Sequence, residues 1–250
     1  MQSALRFNSI RPLVRYVDEH QAVIDVHFTT IGSLPASRKI RKAEVLVEVD
    51  GSDGFHDEGI TPLQLRSNHG AVRFEVVQPQ RWWPAGMGDQ PLYQMTLSLI
   101  AGGEELDCRS LTFGLTSVRR PEQVEQRILL VNGQLCPIHD VVLVDLVDEK
   151  QLLPVTGDSL VIVRDHYGPE LLYKAADRAG ILLVQCVPID PDATPESAIF
   201  GELDRLTAHP SLVGYFVGHL GSLSEPVARR IRDLDPTRAV FHDLPITPAA

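Results

Sequence analysis

The sequence is poor in cysteine and has no long apolar runs, and each shortage excludes a class of protein. Its 250 residues include only three cysteines, Cys108, Cys136 and Cys186. Three scattered cysteines are too few for a disulfide framework or for a structural zinc site. No apolar run approaches the roughly 20 residues that a membrane-spanning helix needs. We therefore expect no membrane segment, no disulfide scaffold and no bound metal.

Basic residues are also scarce relative to acidic ones. The chain has 23 Lys and Arg against 33 Asp and Glu, which gives a formal net charge of -10. A surface of this sign repels phosphate backbones, and no basic stripe in the sequence offsets the repulsion. The Gly86/Gly88 and Gly102-Gly103 pairs do not open a helix after a buried strand, as phosphate-binding glycines do. Neither nucleic acid nor a cofactor is an expected partner.

The first residues carry no targeting signal. The opening stretch, MQSALRFNSIRPLVRY, is interrupted by Arg6, Arg11 and Arg15 and has no apolar core like that of a signal peptide. The hydrophobic fraction of 44% and the charged fraction of 22% are those of an ordinary globular protein. The default expectation is a soluble cytoplasmic protein of one large or two smaller domains.

The hydrophobic pattern changes partway along the chain. Before Val118, apolar residues alternate with polar ones in short runs bounded by turns such as residues 50–54, which indicates an antiparallel β-sandwich. These runs are residues 23–28, 45–49, 72–76, 93–99 and 108–115.

Beyond residues 119–121 the apolar runs become continuous, as in strands that are buried on both faces. The runs are residues 128–131, 160–163, 181–184, 212–217 and 239–241, and helical segments are predicted at 169–179, 195–209 and 225–233. This alternation predicts βα units around a parallel sheet. The sequence thus predicts two domains, a sandwich over 1–118 and an α/β domain over 122–250.

One segment of the predicted sandwich resembles a known family. Residues 81–93 read RWWPAGMGDQPLY and are followed by Asp107 and by Phe113-Gly114-Leu115. This combination resembles the immunoglobulin-like sandwich of glycoside hydrolase family 2, the family of β-galactosidases, β-mannosidases and β-glucuronidases. The second half continues the resemblance in order and is similar to the start of the family's (β/α)8 barrel. The resemblance implies a multidomain protein of carbohydrate metabolism, with an immunoglobulin-like β-sandwich and a truncated TIM-barrel-like domain.

The resemblance also implies where a sugar would bind. Arg164, Asp165, His166 and Tyr167 are similar to the end of the family's second barrel strand, where an Arg and a His-Tyr pair line the sugar site. We take Arg164, Asp165, His166 and His219 as candidate ligand-binding residues. A structural ion-pair network at a strand end is the favoured explanation of the first three, and a surface or packing role is that of His219.

The catalytic residues that the resemblance implies are missing. Retaining glycosidases need two carboxyl groups roughly 5–5.5 Å apart, an acid/base and a nucleophile. Counting from His209-Pro210-Ser211 places Leu220 at the acid/base position, with His219 before it. The nucleophile belongs to a later barrel strand, and a sandwich of about 100 residues with a barrel of about 250 exceeds this chain's length. We therefore expect no catalytic residue.

The leading hypothesis is a catalytically inactive protein that acts as a carbohydrate-binding or assembly module. One alternative is an active β-glycosidase that hydrolyses O-glycosyl bonds with relocated carboxylates, for which Asp165 and Glu225 are weak candidates. Another is a fragment of a larger hydrolase.

Two further expectations concern packing and assembly. Trp82 and Trp83 could stack on a sugar ring, but the resemblance favours a place for both in the sandwich's own core. The predicted parallel sheet has open edges at residues 128–131 and 239–241. Because exposed edges are normally covered, we expect a second copy or a partner chain there. A strictly monomeric state in light scattering would contradict this expectation.

Overall fold

The computed structural model describes residues 4–34, 42–120, 128–144, 159–164, 166–190, 192, 194–199 and 201–243. Within them the chain forms strands β1–β15 and helices α1–α4. Antiparallel sheets come first and a parallel sheet follows, as the change of hydrophobic pattern predicts. No helix in this part of the chain is long and apolar enough to cross a membrane.

The first half consists of two antiparallel sheets that share one hydrophobic core. One sheet has the order β1-β2-β5 and the other β4-β3-β6-β7. Their strands are β1 (Arg6–Val17), β2 (Gln21–Ile31), β3 (Glu44–Asp50), β4 (His56–Pro62), β5 (His69–Val77), β6 (Tyr93–Ala101) and β7 (Glu104–Phe113). In β2 every second side chain is buried, from Ala22 to Thr30, so the period-two pattern reports a strand with one face on the core.

Two strands of this half do not follow the alternation of apolar and polar residues. In β1 the pairing with β2 shifts between Phe7 and Ser9 and again between Val14 and Tyr16, so the inward positions do not follow a single alternation. Strand β4 buries no side chain fully. A strand with two bulges and a strand on an exposed edge both lack the strict apolar alternation that marks their neighbours.

The second half has a small antiparallel sheet and a five-stranded parallel sheet. The antiparallel sheet has the order β10-β9-β8 and the parallel one β11-β12-β13-β14-β15. The strands are β8 (Val118–Arg119), β9 (Ile128–Val131), β10 (Gln134–Pro137), β11 (Asp140–Val144), β12 (Ser159–Val163), β13 (Leu182–Cys186), β14 (Leu212–Phe216) and β15 (Ala239–Phe241). The helices are α1 (Glu170–Ala179), α2 (Pro195–Ile199), α3 (Glu202–Leu206) and α4 (Ser224–Leu234).

The prediction for residues 128–131 was wrong in one respect. This run forms strand β9, but it pairs antiparallel with β8 and β10 and is not an edge of the parallel sheet. Asn132 and Gly133 have φ angles of 49° and 81°, which make a two-residue hairpin turn directly after the run. Within the described residues, the edges of the parallel sheet are β11 and β15, so the predicted edge at residues 239–241 is confirmed.

The central parallel strands are buried on both faces, as their continuous apolar runs predict. Val161 and Val163 of β12 pack in a cluster with α1 and α4, whereas Leu160 and Ile162 face the opposite cluster. That second cluster contains Trp82, whose side chain is 0% exposed. The expected core role of Trp82 is therefore confirmed, but its core lies against the parallel sheet and not inside the sandwich.

The helices follow their predicted positions with one interruption. Helix α1 ends at Gly180, which has the left-handed φ of 70° that commonly terminates helices. The segment predicted as one helix over 195–209 forms two short helices, because Gly201 adopts a φ of 72° between them. Helix α4 buries Val227, Ala228 and Ile231 against the sheet.

Candidate functional site

The C-terminal edge of the parallel sheet collects most of the residues that the sequence singles out. All five strands run in the same direction, so the residues that follow them lie along one edge. Ligands of parallel α/β folds bind at this edge, outside the carboxyl ends of the strands. A cleft of about 540 Å³ opens there between the segments after β13 and β14, residues 186–190 and 216–218.

Arg164 and His166 directly follow β12 and are both half-buried. The Arg164 backbone N–H donates to the Val144 carbonyl at 2.9 Å, and the His166 carbonyl accepts from Gln185 Nε2 at 2.9 Å. Hydrogen bonds to both neighbouring strands therefore hold this turn. Asp165, the third residue of the predicted cluster, lies outside the described residues.

Buried Gln185 organises the support behind this turn. Its side-chain oxygen accepts a hydrogen bond from the Tyr173 hydroxyl, which itself accepts one from the Gly168 N–H at 3.1 Å. Burial raises the pKa of Tyr173 to about 12, so its hydroxyl stays neutral and acts as a fixed donor. The sequence reading missed Gln185, although a polar residue within a continuous apolar strand is a recognisable signal.

His219 and Leu220 lie on the surface after β14. The His219 side chain is 89% exposed and its Nδ1 lies 3.1 Å from Asp243 Oδ1. Leu220 is 73% exposed. Asp243 was missed from the sequence, yet it follows β15 as His219 follows β14, and adjacent parallel strands bring such residues together.

Glu225, a candidate relocated carboxylate, lies in the first turn of α4. Its Oε1 lies 3.6 Å from Arg232 Nη1 and its Oε2 lies 3.6 Å from His242 Nε2. His242 Nδ1 also lies 3.1 Å from the Gly218 carbonyl. Glu225 therefore pairs with Arg232 within α4, and its contact with His242 connects α4 to the residues after β15.

A second polar cluster surrounds His209, just before β14. The His209 side chain is 2% exposed, and its Nδ1 lies 2.6 Å from Asp177 Oδ2 while its Nε2 lies 3.4 Å from Glu170 Oε2. Asp177 Oδ1 also accepts from the Ser211 hydroxyl at 2.6 Å. The hydrogen bonds of this cluster connect α1 to the start of β14.

The charges of the His209 cluster reinforce one another. Burial alone would lower the pKa of His209, but its hydrogen bonds to Asp177 and Glu170 outweigh burial and raise it. The hydrogen bond from His209 is the main cause that lowers the pKa of Glu170 to about 2. The part of the chain that the structure describes holds no group of three or more His, Cys, Asp or Glu side chains that could bind a metal.

Comparison with known proteins gives a family match for the sandwich. Residues 14–115 match the family model for glycosyl hydrolases family 2. The chain is 28% identical over 216 residues to an exo-beta-D-glucosaminidase of Amycolatopsis orientalis, covering 72% of this chain and 20% of that protein. It is 28% identical over 176 residues to beta-mannosidase B of Emericella nidulans, covering 60% of this chain and 21% of that protein. The chain thus spans about a fifth of the length of these curated relatives.

Solved structures match the fold over nearly the whole chain. The exo-chitosanase of Amycolatopsis orientalis superposes with a TM-score of 0.75 at 19% identity, covering 96% of this chain and 32% of that one. A beta-glucuronidase of Parabacteroides merdae gives 0.73 at 13% identity, covering 94% of this chain and 34% of that one. At these identities the superpositions show a shared multidomain fold.

The antiparallel and parallel sheets of this chain share the multidomain fold of these solved structures. Residues 14–115 of this chain match glycosyl hydrolases family 2, as the resemblance carried by residues 81–93 predicts.

Proposed function

We propose that the chain binds carbohydrate at the C-terminal edge of its parallel sheet and does not hydrolyse it. The observation that carries this proposal is Leu220, which stands where the resemblance places the acid/base carboxylate and is 73% exposed. A leucine has no proton to donate to a leaving oxygen, and hydrolysis with retention requires that proton.

Polar groups along the same edge of the sheet support a binding role, next to a cleft that residues 186–190 and 216–218 line. Arg164 and His166 follow β12, and His219 and Asp243 follow β14 and β15, so donors and acceptors approach the same edge from several strands. Sugar hydroxyls are recognised by such convergent polar groups beside apolar walls. Val187, Pro188 and Phe216 supply the apolar wall.

The proposal includes an architecture. We infer an immunoglobulin-like sandwich over residues 1–118 and a (β/α) barrel-like domain over residues 122–250. The five-stranded order of β11 to β15, with α1 and α4 packed on one face, supports the second part. A second copy or a partner chain against the β11 or β15 edge remains a proposal, and Leu143 on β11 is an exposed apolar residue there.

Isothermal titration with a panel of neutral and charged monosaccharides tests the binding role. His219→Ala should weaken sugar binding by about tenfold if His219 contributes a hydrogen bond to the ligand. His56→Ala is the matched control, because His56 is also an exposed histidine whose Nδ1 lies near an aspartate, Asp50, at 2.7 Å. No binding by any sugar, or equal losses in both variants, would contradict the proposal.

Hydrolysis assays test the alternative of an active glycosidase. Aryl β-galactosides, β-mannosides, β-glucuronides, β-glucosides and β-glucosaminides should release no phenol above a buffer blank. Turnover that Glu225→Gln or Asp165→Asn abolishes would replace the binding proposal with a glycosidase that uses relocated carboxylates. Turnover that survives in both variants would indicate a contaminating enzyme.

A further inference from the structure

A second cavity lies where the two halves of the chain meet, and it shares no lining residue with the cleft at the strand ends. We call it the basic groove. Residues 6–10 of β1 and 109–112 of β7 form one wall, and Glu170, Lys174, Asp204 and Arg205 belong to the other. Its volume is about 460 Å³, which lies within the range of small-molecule sites.

The basic groove has an excess of positive charge in a strongly acidic chain. Arg6, Arg109, Lys174 and Arg205 line it together with only two carboxylates. Both carboxylates already have cationic partners. Glu170 lies 3.2 Å from Lys174 Nζ, and Asp204 lies 3.2 Å from Arg11 Nη1. Arg109 and Arg205 also pair with carboxylates that do not line the groove, Asp107 at 3.4 Å and Glu202 at 2.5 Å. The positive excess is therefore carried by Arg6, and it attracts anions locally on a chain whose net charge is -10.

Two arginines of the groove have N–H groups that donate no hydrogen bond to a described residue. The Arg6 side chain is exposed and makes no ion pair or hydrogen bond with any residue that the structure describes. Arg205 donates from Nε to Glu202 at 2.7 Å and from Nη2 to the Gly168 carbonyl at 2.5 Å. Its buried Nη1 lies 3.9 Å from Glu170 Oε2, an ion pair, but makes no hydrogen bond with any described residue. A buried donor without a partner is costly, and an acceptor on a bound ligand removes that cost.

The walls of the groove are held in place before any ligand arrives. Strands β1 and β7 are edge strands of different sheets, and the Phe7 N–H donates across to Asp107 Oδ2 at 2.9 Å. The Arg205 guanidinium also lies over the Tyr173 ring, 5.3 Å from its centre. Polar side chains of Ser110 and Thr112 line the same wall and suit a ligand that carries hydroxyl groups.

We propose that the basic groove binds a small anion, a carboxylate, sulfate or phosphate, and that a sugar carrying such a group is its ligand class. The anionic part of this inference is independent of the proposed function. The sugar part rests on it.

Titration with galacturonate and galactose separates charge from ring shape, since the two differ at one carbon. Galacturonate should bind and galactose should not bind at the groove, and the affinity for galacturonate should fall as salt rises. Sodium sulfate is the third probe. If sulfate competes with galacturonate and binds with equal affinity, the ligand is a free inorganic anion. If galacturonate binds at least about tenfold tighter than sulfate, the ligand is the sugar acid.

Arg6→Gln and Arg109→Gln should each weaken galacturonate binding by about tenfold, because each removes one charge-assisted hydrogen bond. Arg66→Gln is the matched control, an exposed arginine of the sandwich outside the groove. Galacturonate affinity unchanged in Arg6→Gln and Arg109→Gln, or equal binding of galactose that survives both changes, would overturn the inference.

The same titrations distinguish this inference from the proposed function. His219→Ala should leave galacturonate binding at the basic groove unchanged, and Arg6→Gln should leave neutral-sugar binding at the strand ends unchanged. If only the groove fails to bind its ligand, the anion proposal alone is rejected. If only the strand ends fail to bind neutral sugar, the proposed function alone is rejected.

Discussion

His209 shows how much one buried side chain contributes to this fold. It stacks on the Tyr173 ring with centres 5.2 Å apart and lies between carboxylates of Asp177 and Glu170. Arg238 donates to its backbone carbonyl at 3.1 Å. The resemblance drew attention to the His209-Pro210-Ser211 segment as the start of a strand, and the structure gives the histidine a role as an ionic connection between α1 and β14.

The His209 connection should make stability depend on pH. The folded-state pKa of His209 is raised, so its contribution is complete below the unfolded value of about 6.5 and is lost as pH rises through the folded value. The pKa of Glu170 is lowered to about 2, so its contribution is present above its ordinary value and is lost as pH falls towards 2. The connection is therefore strongest between about pH 4.5 and 6.5.

His209→Gln should lower the free energy of unfolding by about 3 kcal/mol near the middle of that range, because it leaves buried Asp177 without its cationic partner. The loss should shrink as the pH rises from about 6.5 to the folded-state pKa of His209. Urea unfolding at a series of pH values measures it. His20→Gln, at a histidine whose side chain is 79% exposed, serves as the control and should change little. A loss that stays constant across the series would mean that folding does not raise the pKa of His209.

Gly180 has two functions at the level of the elements. It terminates α1 in the left-handed conformation, and its carbonyl accepts from the Ala85 N–H at 2.9 Å. A Cβ at this position would lie 2.4 Å from Ala85 N, which is far inside van der Waals contact. The end of one helix is thus packed against the backbone of the segment that contains Trp82.

Gly180→Ala should therefore destabilise the fold more than an alanine substitution at a glycine where the only cost is the left-handed backbone conformation. Gly103 provides the comparison, since its φ is 80° and a Cβ there would meet nothing within 4 Å. Gly103→Ala should cost about 1–2 kcal/mol, the ordinary penalty of a left-handed non-glycine residue. Gly180→Ala should cost clearly more in the same urea titration. Equal costs would show that the contact with Ala85 relaxes freely.

At the level of the whole molecule, the antiparallel and parallel halves are joined by contacts of several kinds. Trp82 packs with Leu129, Leu160 and Leu182, and its Nε1 donates to the Asp177 carbonyl at 2.7 Å. On the other side of the junction, a Cβ at Gly114 would lie 2.4 Å from Pro210 Cγ, so only glycine allows this approach. These contacts connect the core of each half to the other.

We expect the two halves to unfold together. Trp82 and Trp83 are the two tryptophans of the chain, so tryptophan fluorescence reports on the junction while circular dichroism reports on all strands and helices. The two signals should give one urea midpoint, in wild type and in Trp83→Phe, where Trp82 is the remaining tryptophan. Separate midpoints would show that the halves are independent folding units, as is common in multidomain chains.

Local patterns in the sequence predicted the parts of this fold that depend on burial alone. Alternation identified β2, β3, β5 and β6, since a strand with one face on a core must be apolar at every second residue. Continuous apolar runs identified β12, β13 and β14, which are covered on both faces. The segment around Trp82 and Trp83 predicted the family that residues 14–115 match.

The tertiary structure decided which strands pair and which side chains meet. Periodicity reports that a residue is buried but not what covers it, so β9 was assigned to the wrong sheet and Trp82 to the wrong core. The pairs His219 with Asp243, Arg11 with Asp204 and His209 with Asp177 join residues far apart in the chain. The basic groove exists only where β1 and β7 meet α1 and α3, because its charges come from segments that no local pattern connects.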